Sequence, residues 1–248
     1  MKNEWLIRTE ILLGKENLEK LQKSQVTIVG LGGVGSYAAE ALVRAGIGEF
    51  FLIDHDKVSE SNLNRQILAT RNTIGRYKTE IMKNRMLEIN PDVKVDIFSD
   101  FLNKDNRLEI LSKSDYVLDA IDSLSPKMGL IKDLCILNKY FISVIGAGNR
   151  IDPEKIKITT ISQTEGCPFA KRLRKLLKRN GVVTDFPVVF SYETNTNVVP
   201  NSDWHNDTKP TNATTDYIPK SIVGSISYIP AIMGMMAAGG LVREIIKK

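Results

Sequence analysis

The sequence predicts an α/β fold: a doubly wound, mostly parallel sheet whose elaborated C-terminal half adds antiparallel strands. Two observations predict it. Over the first 150 residues, short apolar runs alternate with helix-period segments, the order that βαβ units impose on a chain. A glycine-rich turn joins the first apolar run to the first strong helical pattern, as the opening crossover of such a sheet requires.

Taken in order, Gln25–Val29 (QVTIV) reads as a strand and SYAAEALVRAG as a helix that stops at Gly46. Residues 50–53 (FFLI) form a second strand. A helix over about 73–89, apolar at Ile81, Met82, Met86 and Ile89, ends before Pro91. VKVDIF, YVLDAI and FISVIG supply three more strands, with a helix over 127–138 between the last two. After Asp152-Pro153 the pattern changes: IKITTI and FPVVFSY read as strands flanking a basic helix at 169–179. Residues 193–220, rich in Asn, Thr, Asp and Pro, read as a mobile loop. IVGSISYI then reads as a buried strand broken at Pro230, ahead of a small-residue helix, AIMGMMAAGGLVREII. No repeat is visible. The expectation is one domain over 1–248, with a nucleotide-binding half at about 1–150 and a substrate-side half at about 151–248.

Composition narrows the function classes. The 248 residues are 42% apolar and 25% charged, which excludes a disordered chain, a collagen-like repeat and a disulfide scaffold. A net charge of +5 permits a polyanionic partner without requiring one. Cys135 and Cys167 lie far apart with no CxxC, so a four-thiolate zinc site cannot form. Cys135, inside a helix pattern, reads as buried; Cys167 is a possible acyl acceptor, although a free cysteine is ordinarily a small apolar residue. The N-terminus carries charges throughout and lacks the apolar core of a signal peptide, which makes the cytoplasm the default. Residues 222–242 are uncharged and long enough to span a bilayer. Pro230 and four glycines favour instead a strand and a helix buried at a subunit interface, with peripheral membrane association left open.

The chemistry concentrates in two stretches. Gly30-Leu31-Gly32-Gly33-Val34-Gly35 follows the first strand and opens a helix, so backbone amides and a helix N-terminus can meet phosphates. Asp54 ends the second strand, 19 residues after Gly35, where a carboxylate can take ribose hydroxyls. These features fit a nicotinamide-dependent oxidoreductase as well as an ATP enzyme. Asn62, Arg65, Gln66 and Lys78 follow in a second turn and beyond. Hydride transfer needs a flat apolar slot and has little use for such cations, whereas nucleotidyl transfer needs them to offset charge on phosphate oxygens. Arg65 or Lys78 alone would be an ordinary solvated charge.

The segments GLGGVGSYAAEALVRAGIG, LIDHDKVSESNLNRQ and GRYK resemble the ubiquitin-activating-enzyme-like superfamily of the ThiF/MoeB/HesA type, which adenylates carboxylates with ATP. The resemblance implies a Rossmann-like fold and ATP cradled by Gly30, Gly32, Gly33 and Gly35. It implies ribose on Asp54, and phosphates held by Asn62, Arg65 and Lys78 with Gln66 beside them. Asp122, in Asp119-Ala120-Ile121-Asp122, would hold Mg²⁺, and it also stands where it could cap the helix that follows. Arg8 resembles an N-terminal arginine that reaches into the partner subunit's ATP site of a homodimer. The second arginine common in the family three residues earlier is here Trp5. Arg8, Arg65, Lys78 and Asp122 are thus the implied catalytic set.

RTEILLG, AIDSLSPKMGLI, AGNRIDPEKI and GSISYIPAIMGMMAAGGLV resemble one bacterial branch of this superfamily. That branch adenylates the carboxylate of threonylcarbamoyladenosine in tRNA and cyclises it to an oxazolone-type ring. The run 171–179 (KRLRKLLKR) carries six cations in nine residues, with Leu173, Leu176 and Leu177 on one face and the basic side chains outward. By itself that is a solvated helix face; beside a tRNA substrate it is a phosphate contact. Three other readings remain at this stage: activation of a ubiquitin-like sulfur carrier, with a sulfur-transfer partner protein; an NAD oxidoreductase; and a non-catalytic module with a vestigial nucleotide site.

Overall fold

The computed structural model describes residues 4–194 and 223–247. A 3-10 turn at Glu4–Leu6 leads into α1 (Ile7–Leu13) and α2 (Lys15–Lys23). Then come β1 (Gln25–Val29), α3 (Gly35–Ala45), β2 (Glu49–Ile53), α4 (Lys78–Ile89), β3 (Lys94–Phe98), α5 (Arg107–Ser112) and β4 (Tyr116–Asp119). The rest is α6 (Leu124–Ile136), β5 (Tyr140–Ile145), β6 (Ile156–Thr160), α7 (Pro168–Arg179), β7 (Pro187–Ser191) and α8 (Tyr228–Lys247).

The seven strands form one sheet in the order β3-β2-β1-β4-β5-β7-β6. Every neighbouring pair is parallel except β6 and β7, which run antiparallel. The predicted fold class is therefore the observed one. Strand order reverses between β1 and β4, and ligands of open α/β sheets bind outside the carboxyl ends of the strands at that point. Register fixes what lies there. Val29 pairs with both Ile53 and Asp119, so Gly30, Asp54 and Ala120 leave three adjacent strands at one level.

Both faces of the sheet are covered. α3, α4 and α8 pack Leu42, Met82 and Met233 against Ile28 and Leu52, while α5, α6 and α7 pack Leu111, Leu130 and Leu173 against Val117 and Phe141. α8 lies close on α3 because Gly234 has no side chain: a Cβ there would collide with the Val34 carbonyl oxygen.

Several element expectations need correction. The described part of the expected last strand, residues 223–227, has no strand conformation, and α8 begins at Tyr228. A period-two apolar pattern suits a strand, but these backbone groups are engaged by loops, with the Asn149 N–H donating to the Gly224 carbonyl. Pro230 does not break an element; it occupies the first turn of α8, where its missing N–H has no intrahelical acceptor to lose. The helix expected from about residue 73 begins at Lys78, after a separate 3-10 turn at Arg71–Thr73. The helix expected at 127–138 is Leu124–Ile136. Cys135, expected to be buried, is only partly so, while Cys167 is buried, as a small apolar residue would be. α8 is long and apolar enough to cross a membrane by length and composition, yet Ile229, Met233, Ala237, Leu241 and Ile245 are buried in the core. Of the polar stretch at 193–220, residues 195–220 lie outside the described residues.

Candidate active site

The glycine loop is shaped by contacts that only a missing side chain permits. Gly30 has φ +93°, and a Cβ on it would stand 2.9 Å from the Ala120 carbonyl oxygen. A Cβ on Gly35 would collide with the Gly30 carbonyl oxygen and lie 3.3 Å from Ala120 Cβ. The turn after β4, which leads to Asp122, thus seats directly on the loop after β1. α3 starts at Gly35 with Val34 as its N-cap and no side-chain cap; the Ser36 N–H donates to the Gly32 carbonyl, and no side chain offsets the positive end of the helix.

Asp54 ties this loop to the next strand. The Leu31 N–H donates to Asp54 Oδ2 at 2.6 Å, and the Asp56 N–H donates to Oδ1 at 2.8 Å. Lys78, only 5% exposed, donates from Nζ to Asp56 Oδ2 at 2.7 Å and stands 4.0 Å from Asp54 Oδ2. A short backbone ladder brings the lysine across: the Lys78 N–H donates to the Asp56 carbonyl, Val58 N–H to Arg76, and Gly75 N–H to Val58. Lys78 is then the first residue of α4, held at the level of the glycine loop.

Arg65 reaches the loop from the other side. A Cβ on Gly33 would stand 3.2 Å from the Arg65 carbonyl oxygen and 3.3 Å from its Cγ. The Arg65 Nη1 donates to the Ser61 carbonyl and to Asn64 Oδ1, at 2.8 and 2.9 Å. Gln66 is buried and its Oε1 has no hydrogen-bond partner, while its Nε2 lies 3.9 Å from a Cβ placed on Gly32. An orphaned buried acceptor beside an uncapped helix N-terminus and two cations is a donor-and-acceptor set that fits a nucleotide. Asn62 plays a local part here. Its Oδ1 accepts from the Ser59 N–H at 3.2 Å and closes a capping box on the 3-10 turn Glu60–Asn62.

Asp122 is exposed at the end of the β4 turn and accepts from Ser123 Oγ at 3.0 Å. Ser123, not Asp122, occupies the N-cap of α6 and makes no side-chain cap, so the capping role suggested for Asp122 does not appear in the structure. An exposed carboxylate offers the hard oxygen that Mg²⁺ prefers. Among the described residues, Asp54, His55 and Asp56 also bring ligand atoms within 4.8 Å of one another, and Asp122 stands outside that group. Arg8 is exposed on α1, which packs on α2. Contacts bring the glycine loop, Asp54, Arg65, Gln66 and Lys78 together, whereas Asn62 is engaged locally, Asp122 sits on the adjoining turn and Arg8 lies on α1.

Asp119, the first residue of the Asp119–Asp122 segment, belongs to a buried network with Lys127 and Ser143, neither of which the motifs single out. Lys127 and Asp119 are both 0% exposed, and Lys127 Nζ donates to Asp119 Oδ2 at 2.6 Å and to Ser143 Oγ at 3.1 Å. Ser143 Oγ also donates to Asp119 Oδ2, at 2.6 Å, and Asp119 Oδ1 accepts from the Ile121 N–H at 3.0 Å. Burial pulls the Lys127 ammonium below its ordinary value, and the Asp119 charge opposes that pull. The network clamps the turn that carries Asp122. Its only trace in the sequence is a lysine amid Leu, Met and Ile in the α6 pattern.

On α7, Lys171, Arg172, Lys175, Lys178 and Arg179 are exposed, while Ala170, Leu173 and Leu177 are buried. Arg174 departs from the expected outward set: its Nη1 donates to the Thr164 carbonyl at 2.7 Å and also meets the Thr164 hydroxyl.

The model of the ThiF family matches residues 7–248 of this chain. A tRNA threonylcarbamoyladenosine dehydratase of Bacillus subtilis is 35% identical over 241 residues, covering 97% of this chain and 94% of the relative. The protein of the same name from Escherichia coli is 43% identical over 183 residues, which is 73% of this chain and 66% of that one. Among solved structures, E. coli TcdA, a tRNA N6-threonylcarbamoyladenosine dehydratase in complex with AMP, superposes with a TM-score of 0.85 at 34% identity. That match covers 99% of this chain and 96% of TcdA, and the ATP complex of TcdA also gives a TM-score of 0.85.

Proposed function

We propose an activity for a chain that belongs to the ThiF family: ATP-dependent adenylation of the threonylcarbamoyladenosine carboxylate in tRNA, followed by ring closure with net loss of water. One observation carries the reading furthest. Arg65, whose carbonyl and Cγ pack on Gly33, and Lys78, whose ammonium stands 4.0 Å from the Asp54 carboxylate, come from separate elements to one glycine loop, in a chain similar to a dehydratase across nearly its whole length.

The roles follow from the geometry. Gly30, Gly32, Gly33 and Gly35 with the α3 N-terminus favour the phosphates, and Asp54 holds the loop at the level of the ribose. Arg65 and Lys78 offset charge as the carboxylate oxygen attacks the α-phosphorus and pyrophosphate leaves. Gln66 offers its orphaned oxygen to the nucleotide, and Asn62 keeps the Arg65 turn in shape. Asp122 would hold Mg²⁺, which supplies further charge neutralisation at the phosphates. The carbamoyl group of the same substrate then attacks the activated acyl carbon and AMP departs. No protein nucleophile is needed, which suits the buried Cys167.

The chain acts as a homodimer in the cytoplasm. Ile11 and Leu12 on α1 are 79% and 81% exposed, an apolar surface suited to a second copy, and Arg8 on the same helix would reach the partner's nucleotide. The exposed cations of α7 would contact tRNA phosphates. Pairing of β5 with β7 supports reading the nucleotide-binding and substrate-side halves as one domain.

The test is AMP release from ATP with threonylcarbamoyl-modified tRNA, the unmodified tRNA, or a ubiquitin-like sulfur carrier as acceptor. Release is expected with modified tRNA alone, and Lys78→Ala is expected to lower it by about 10²–10³. Release driven by the carrier protein and not by modified tRNA would overturn the proposal.

A further inference from the structure

We infer that Arg150 is an oxyanion-binding residue on the substrate side of the crevice, placed to receive the carboxylate that is adenylated. The inference rests on the activity proposed above and names a specificity residue for it.

Arg150 is 3% exposed. Its Nη1 donates to the carbonyl of its neighbour Asn149 at 3.1 Å, and its buried Nε has no hydrogen-bond partner. Among the described residues, no carboxylate lies within ion-pair reach of it. A buried guanidinium so thinly partnered is costly to the folded state, and a ligand with a planar pair of oxygens supplies what is missing. Carboxylate and guanidinium match as a bidentate pair.

The loop that carries Arg150 is built, not slack. Gly146 has φ +68° and Asn149 has φ +55°, a rare conformation for a residue with a side chain. The Asn149 N–H donates to the Gly224 carbonyl at 2.8 Å, the Ile151 and Asp152 N–H groups each donate to Glu193 Oε2 at 3.0 Å, and Tyr228 Oη donates to the Ile151 carbonyl at 2.8 Å. The same segment, 223–230, also touches the nucleotide side. Asn64 Nδ2 donates to the Ser225 carbonyl at 3.1 Å, and a Cβ on Gly33 would stand 2.9 Å from Pro230 Cβ. One strap thus binds the Arg150 loop to the Arg65 turn and to the glycine loop.

Position decides which anion. Arg65 and Lys78 flank the loops after β1 and β2, where the nucleotide phosphates belong. The Arg150 loop follows β5, beyond β4 and its Asp122 turn. A cation on that side faces the second reactant. The second reactant carries both a carboxylate and RNA phosphodiesters, and a well-held carboxylate is the anion that must be aimed at the α-phosphorus.

The test uses the full chain as wild type, Arg150→Met and Arg150→Lys. Binding is measured to tRNA with and without the threonylcarbamoyl group, in the presence of a non-hydrolysable ATP analogue. Arg150→Met should melt at or above the wild-type temperature, because it removes a buried charge without a partner, and should bind the analogue as wild type does. It should lose at least about tenfold in affinity for modified tRNA and nothing for unmodified tRNA, with Arg150→Lys in between. Equal loss on both tRNAs would transfer the site to a phosphodiester and overturn the carboxylate assignment. A lower melting temperature with an unchanged preference for modified tRNA would make Arg150 structural and overturn the inference. If wild type shows no preference for modified tRNA, the proposed activity falls, and the site is then read with N-carbamoylthreonine alone. Thermal stabilisation of wild type but not of Arg150→Met upholds the oxyanion site, and stabilisation of both or neither overturns it.

Discussion

Replacing Lys127 with Met probes the clamp under the Asp122 turn. The substitution removes an ammonium that lies 2.6 Å from Asp119 Oδ2 and 3.1 Å from Ser143 Oγ, in a site with no exposure. Asp119 keeps two donors, Ser143 Oγ and the Ile121 N–H, but loses its counter-charge. Removing one member of a buried pair costs about 3–5 kcal/mol, because the other charge stays buried without compensation. For a chain of this size each kcal/mol lowers the melting temperature by about 2–4 °C, so the expected fall is about 6–20 °C. Calorimetry on Lys127→Met, Asp119→Asn and the double variant closes a mutant cycle. The double variant should recover much of the loss, since neither charge then remains. A Lys127→Met melting point within about 2 °C of wild type, or strictly additive single effects, would refute the reasoning.

Three further outcomes are expected. Burial alone would raise the Glu40 carboxyl, but hydrogen bonds from Arg85 and Arg44 outweigh it and hold the carboxyl below its ordinary value. The unfolded chain therefore binds that proton more readily, so the stabilisation is present above about pH 4.5 and is lost as pH falls through the lowered folded value. The melting-temperature gap between wild type and Glu40→Gln should shrink below about pH 4, and a constant gap would contradict this. Gly33→Ala puts a Cβ 2.9 Å from Pro230 Cβ and 3.2 Å from the Arg65 carbonyl oxygen, so ATP affinity by calorimetric titration should fall roughly tenfold. Lys171→Glu with Lys175→Glu, both exposed on α7, should leave the melting point unchanged and flatten the salt dependence of tRNA binding by roughly 0.7–0.9 per lost phosphate contact. An unchanged slope would place the tRNA elsewhere.

What the sequence made legible was local or carried by motif. The QVTIV strand, the glycine loop and the helix capped at Gly46 are neighbours in the chain, and each pattern spells its own conformation. Lys78 could be named from its spacing, but not its seat between Asp54 and Asp56, which depends on a ladder joining 56–58 to 75–78. The expected closing strand is absent because residues 223–227 serve as a strap between loops and Tyr228 already opens α8. A buried lysine at position 127 makes sense only once β4 and β5 pair Asp119 with Ser143. Arg150 is legible only after the strap is in place. These are long-range placements, and they require the topology.

Nucleoside mass spectrometry tests the central claim most directly. Threonylcarbamoyl-modified tRNA is incubated with the enzyme and ATP, digested, and the modified nucleoside weighed. The account predicts a nucleoside lighter by one water, formed only with ATP and lost in Lys78→Ala. An unchanged nucleoside, under conditions where the protein turns over ATP, would contradict it.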